Sequence, residues 1–209
     1  IVWGRYFFHI LFMGLIFFFL KKKINFNKNV KIQLLRSIFL ICATVLTYIS
    51  VRYNELINFY IIFFSTPLIA SFFSLIFLRE KISKLGFLLI FLSFASIIYS
   101  LEPTETFVTY VIVFPFLTAI AFALYQLFTK VVAKDREPFV ALFYTSIIGS
   151  IIFSILAIFF WTPIESNLAW VILICLGFIG FLSHYLFAIA LQTLNSVSYT
   201  HLTLPTIRL

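Results

Sequence analysis

From Ile1 to about Thr193 the chain is a succession of long apolar runs broken by short charged loops, and that alternation leaves little choice of fold. Crossing a hydrocarbon core of about 30 Å takes roughly 20 apolar residues in a helix. Within lipid, only helices or closed barrels satisfy every backbone group. Barrel strands would read as short segments of alternating polarity, whereas these runs are long and apolar on every side. Hydrophobic residues make up 63% of the chain and charged residues 11%, with a mean hydropathy of +1.14; soluble domains carry about a quarter charged residues. The expected fold class is all-α, a polytopic transmembrane helical bundle with the lipid bilayer as its first partner.

The apolar runs and their punctuation place seven helices, at about 3–20, 33–51, 56–78, 85–100, 107–129, 138–160 and 168–193. Short loops make sequential helices antiparallel neighbours. A net charge of +8 invites nucleic acid as a partner, but the basic residues lie in short loops rather than along one face, so no nucleic acid is expected. Alternate loops hold Lys21, Lys22, Lys23, Lys28, Lys31 and Arg36, then Arg79, Lys81 and Lys84, then Lys130, Lys134 and Arg136. The opposite side has only Arg52 between spans and Arg5 near a helix end, beside Glu55, Glu102, Glu105 and Glu165. The excess of positive charge assigns the first set to the cytoplasm. Residue 1 is then outside, and Trp3, Trp161 and Trp170 fall at outer ends, as an aromatic belt requires. No basic region precedes residues 1–20 and no small-residue cleavage site follows, so they are not a signal peptide. The start reads as truncated, with a missing first helix accounting for the outside start. Cys42 and Cys175 sit inside apolar runs and read as buried free thiols, with neither disulfide nor metal.

Residues 67–86, Pro-Leu-Ile-Ala-Ser-Phe-Phe-Ser-Leu-Ile-Phe-Leu-Arg-Glu-Lys-Ile-Ser-Lys-Leu-Gly, run from a proline midway along the third span through Glu80 among basic residues to Gly86 at the start of the next. With them come, in order, Gly4-Arg5-Tyr6-Phe7, the run 123–130 from Ala123 to Lys130, Phe143-Tyr144-Thr145 with Gly149, and Gly177 through His184. This ordered set resembles the EamA-type drug/metabolite transporters, and most closely bacterial members similar to S-adenosylmethionine uptake carriers. The resemblance covers residues 1–195. It implies a ten-helix protein of two inverted five-helix repeats, of which seven helices are visible. Residues 1–100 correspond to a first repeat lacking its first helix, and residues 101–195 to a second lacking its last two. Residues 40–48 and 174–184 then occupy equivalent third positions in the two halves. The final stretch, 196–209, reads as translated sequencing adapter: Val-Ser-Tyr-Thr-His-Leu-Thr-Leu-Pro-Thr at 197–206 can be encoded by a transposon-end adapter and its primer site.

Several residues admit both a functional and a plain reading. Arg5 and His9, four apart, share one helix face. Arg5 either contacts an anionic group in the substrate path or reaches the outer headgroups. His9 is either part of that path or a packing residue. Glu55, opening the third span after Arg52 and Tyr53, is either a contact for a cationic group or a proton, with Arg5 as partner, or a solvated loop-end carboxylate. Glu80 fits a structural pair or gate better than a substrate contact. Pro67 removes a backbone donor and bends its helix, which suits gating; Pro115 is a weaker case of the same. Tyr48, Tyr125 and Gln126, the last two near the cytoplasmic end of the fifth span, are further pathway candidates. His184 either couples protons or packs as a hydrogen-bonded residue. Gly177 and Gly180 allow close helix approach.

By the resemblance, the intact protein is a multi-pass carrier of the bacterial inner membrane, moving a small organic metabolite by alternating access between two repeats. No nucleotide-binding motif is present, so exchange or an ion gradient supplies the energy and no cofactor is expected. A second copy of the chain is a further candidate partner. The competing classes are an intramembrane enzyme and a structural subunit. Ser183 and His184 are adjacent on one helix and point about 100° apart, so they cannot pair with each other. With its second repeat short of two helices, the 209-residue form is expected not to transport.

Overall fold

The computed structural model describes residues 1–20, 30–78, 83–100, 112–133 and 138–193, and every regular element of useful length among them is an α-helix. In order these are α1 (Val2–Leu20), α2 (Val30–Tyr53), α3 (Leu56–Phe63), α4 (Thr66–Phe77), α5 (Lys84–Ser100), α6 (Val113–Ala133), α7 (Pro138–Phe160) and α8 (Asn167–Thr193). Six stretches of the described residues are long and apolar enough to cross a membrane: α1, α2, Leu56–Phe77 taken across the α3–α4 junction, α6, α7 and α8. The chain is a multi-pass helical membrane protein. Glu80, Glu102, Glu105, most of the loop lysines and the 196–209 tail lie outside the described residues.

The outward faces explain why these helices need lipid. Ile151, Ile155, Ile158 and Phe159 on α7, and Leu168, Val171 and Leu186 on α8, are all exposed. In water such a continuous apolar surface would be a binding or aggregation site; in a bilayer it is ordinary. Inward-facing hydroxyls are satisfied locally, by donation to the carbonyl four residues back. Thr44 donates to Leu40, Thr145 to Ala141 and Ser146 to Leu142.

The third expected span carries a local break between α3 and α4, across which Phe64 and Ser65 keep helical backbone angles. α3 stops at Phe63, and α4 begins after Ser65, which makes no side-chain cap bond, with Pro67 in its first turn. A first-turn proline lacks only an N–H that has no intrahelical partner anyway. Ser65 Oγ donates to Ile62 O at 2.6 Å and Thr66 Oγ1 to Phe63 O at 2.5 Å, so the carbonyls freed by the break are satisfied by hydroxyls. Pro67 therefore lies just past the break, in the first turn of α4, and Pro115 likewise falls in the first described turn of α6. The cysteines differ from expectation too. Both are free and exposed, because the buried stripes of their helices (Gln33, Ser37, Leu40, Thr44 on α2; Leu173, Phe181, His184 on α8) leave them facing outward.

The chain divides into two compact units, Ile1–Ser37 with Thr129–Leu209, and Ile38–Phe128. In the first, α1 packs along α7 and α8. Trp3 Nε1 donates to Ser154 Oγ at 3.1 Å, Ser150 Oγ donates to Tyr6 O at 2.9 Å, and the Phe17 and Phe139 rings lie 5.7 Å apart, so α7 runs antiparallel to α1. α8 runs parallel to it. A Cβ on Gly4 would meet Leu173, and one on Gly177 would overlap the Cβ of Phe8 and press on its backbone. Glycine at 177 is thus what lets the two backbones approach. Met13, Phe139, Leu142 and Phe181 form the core beneath. In the second unit, Ile69 packs on Ala119 and Ala123, Phe39 stacks on Phe128 at 5.6 Å, and Phe63 meets Phe122 at 5.3 Å.

Candidate functional site

The α1–α8 seam collects three of the sequence candidates. Arg5 and His9 project from successive turns of α1, and His184 comes from α8. Arg5 Nη2 lies 3.4 Å from His184 Nε2. A guanidinium can only donate, so His184 accepts at Nε2 and its ring proton sits on Nδ1. The His9 and His184 rings are parallel to within 8°, with centroids 6.2 Å apart, and Phe181 meets His9 edge-on at 5.5 Å. His9 is 2% exposed, and its Nε2 has no hydrogen-bond partner among the described residues. The Arg5 side chain passes over Gly180, whose missing Cβ would stand 3.5 Å from Nε.

The seam carries no compensating acid: α1, α7 and α8 contain neither Asp nor Glu. Its ceiling is aromatic. Trp3 stacks on Phe7 at 4.8 Å and meets Trp161 edge-on at 5.1 Å, which gathers two of the three tryptophans at one end of the unit. Ser183 Oγ donates to Gly180 O on its own helix at 3.1 Å. No group of three His, Cys, Asp or Glu among the described residues is placed to hold a metal ion.

A second polar cluster in the same unit was not anticipated. Arg36, counted above with the loop lysines, is fully buried inside α2. Its Nε donates to Thr129 Oγ1 at 2.8 Å and its Nη1 to Ala141 O at 2.6 Å, with Gln33 Oε1 at 3.4 Å. Ser37 Oγ and Thr145 Oγ1 lie 3.1 Å apart just beyond. One side chain thus ties α2, α6 and α7 together.

The remaining candidates belong to the other unit. Glu55 is exposed at the N-cap of α3 and makes no side-chain cap bond. Tyr48 is half-buried on α2. Tyr125 is fully buried, its ring 5.4 Å from Phe122, and Gln126 beside it is half-buried. Because α6 continues to Ala133, Tyr125 stands about 12 Å inside that end, deeper than its sequence position near a span end suggested. Glu80 lies outside the described residues.

A model of the EamA-like transporter family matches the chain over residues 1–101 and over residues 109–204. No curated protein and no solved structure matches it.

Proposed function

The chain belongs to the EamA-like transporter family, and on that premise we propose that it is a secondary-active carrier of a small organic metabolite, working by alternating access in a bacterial inner membrane. The observation that carries the reading is the α1–α8 seam, where Arg5 and His184 stand 3.4 Å apart beside a buried His9. Ionisable groups within a membrane span are costly, and they persist where they face a partner or an aqueous path. The two separate stretches of the family match support the division into two repeats, near residues 1–100 and 101–195, and inverted repeats are a common basis for alternating access. Tyr48, Glu55, Tyr125 and Gln126 are further candidates for the solute path, each within its own unit, and Glu80 is a candidate for a gate. The reading makes the protein a carrier rather than an enzyme.

The test is counterflow in proteoliposomes, using the product of the gene as its source locus encodes it. Vesicles preloaded with unlabelled solute should accumulate the labelled solute transiently and return it chemically unchanged; labelled S-adenosylmethionine is the first probe, followed by amino acids. Recovery of a converted product would make the protein an intramembrane enzyme instead. Absence of counterflow across the panel would remove the carrier reading.

A further inference from the structure

We propose that the Arg5–His9–His184 seam takes a carboxylate group of the transported solute, so that the cargo is an organic anion or a zwitterion held by its acidic end. The assignment rests on the carrier reading above and narrows it. Arg5 has five N–H donors in a fixed fork, and its hydrogen bond among the described residues uses one of them on a neutral ring nitrogen at a long 3.4 Å. The guanidinium charge has no carboxylate on any of the three helices of its bundle. Arg5 is half-buried, and its planar fork matches a carboxylate in two-point fashion.

His9 supplies an independent pointer. Its Nε2 is buried and without a hydrogen-bond partner among the described residues, one turn along α1 from Arg5. A buried polar nitrogen left unmatched costs free energy, and a second carboxylate oxygen supplies the acceptor it lacks when that nitrogen carries the proton. His184 completes the arrangement by steering rather than by binding: accepting from Nη2, it holds one arm of the fork and leaves the other arm for the solute. The floor under Arg5 is Gly180, which leaves room for the side chain to lie along α8. Phe181 and Phe12 flank the seam and suit an apolar body behind the acid.

Matched acids and amides test this. Intrinsic tryptophan fluorescence of the purified full chain in detergent is titrated with benzoate against benzamide, and with N-acetyl-L-leucine against N-acetyl-L-leucinamide. The acids should bind saturably, and the amides at least about tenfold more weakly, the usual difference for a charge-assisted hydrogen bond. Arg5→Gln should bring the acid down to the level of its amide, and Arg5→Lys should retain part of the preference. Should Arg5→Gln aggregate, His9→Phe replaces it, lowering affinity for the acid and not for the amide. Equal binding of acid and amide, no acid binding at all, or unchanged acid binding in Arg5→Gln overturns the assignment. Counterflow of a solute without an acidic group, with acids inert, also overturns it while leaving the carrier reading standing. Acid-selective binding without counterflow of any solute does the reverse.

Discussion

Two arginines in one unit of this protein have opposite surroundings. Arg36 is fully enclosed, and its fork is matched by a hydroxyl at 2.8 Å, a carbonyl at 2.6 Å and an amide oxygen at 3.4 Å, from three helices. Arg5 is half-buried, lies over a glycine and reaches one ring nitrogen at 3.4 Å. An ionisable residue inside a membrane span is a functional candidate by default, but these two show that the default needs a second criterion. A guanidinium whose donors the protein itself satisfies is a fastener. One whose donors are left over is available to a solute. By that measure Arg36 holds the bundle and Arg5 serves the seam.

The largest effect should come from Arg36→Met, which keeps the length of the side chain and removes both short bonds. Hydrogen bonds from a charged donor contribute about 1.5–3 kcal/mol each, so stability should fall by roughly 3 kcal/mol or more, read as a lower melting temperature in detergent. Arg36→Lys should recover little, because one ammonium cannot serve acceptors that Nε and Nη1 address from different directions. A melting point within a degree or two of the parent would mean that Arg36 is as loosely held as Arg5, and the contrast would fail. Arg5→Gln should change stability by less than about 1 kcal/mol while bringing acid binding down to the level of the matched amide.

Next in size is Gly177→Ala. The added methyl overlaps the Phe8 Cβ and crowds its backbone carbonyl carbon at 3.1 Å. Neither is the free end of a flexible side chain, so α1 and α8 must separate. Overpacking of this kind costs about 1–3 kcal/mol, and it should also loosen Arg5 from His184, weakening acid binding in parallel with the melting point.

Much of this was legible in the sequence, for identifiable reasons. Fold class and the places of six spans follow from run length, since hydrocarbon thickness fixes how many apolar residues a span needs; the seventh expected span, at 85–100, is the shorter α5, which is not among the six. The shared face of Arg5 and His9 follows from a spacing of four. Their meeting with His184 does not, because periodicity shows which residues share a face and not which helix that face will meet. Arg36 was missed because a basic residue near a span end resembles one reaching for headgroups. The signal that would have found it is the trio Gln33, Arg36 and Ser37, three polar groups on one face in the first turns of α2. The α3–α4 break falls at Ser65-Thr66-Pro67, where proline in an apolar run already suggested a local bend.

The smallest effect expected is also the sharpest check on how Arg5 is held. At Gly180 a methyl would stand 3.5 Å from Arg5 Nε and 3.8 Å from Cγ, ordinary contact distances. Alanine is favoured over glycine in a helix interior by about 1 kcal/mol, so Gly180→Ala should leave the melting point level or raise it slightly. Acid binding should persist, because an Arg5 side chain with unspent donors can shift by tenths of an ångström without losing a committed partner. Gly177 and Gly180 lie three residues apart on the same face of α8, so the pair separates a backbone contact from a side-chain one within a single helical turn. If Gly180→Ala proves as damaging as Gly177→Ala, Arg5 is locked against α8 as firmly as Arg36 is locked among its three helices, and its donors are not free for a solute.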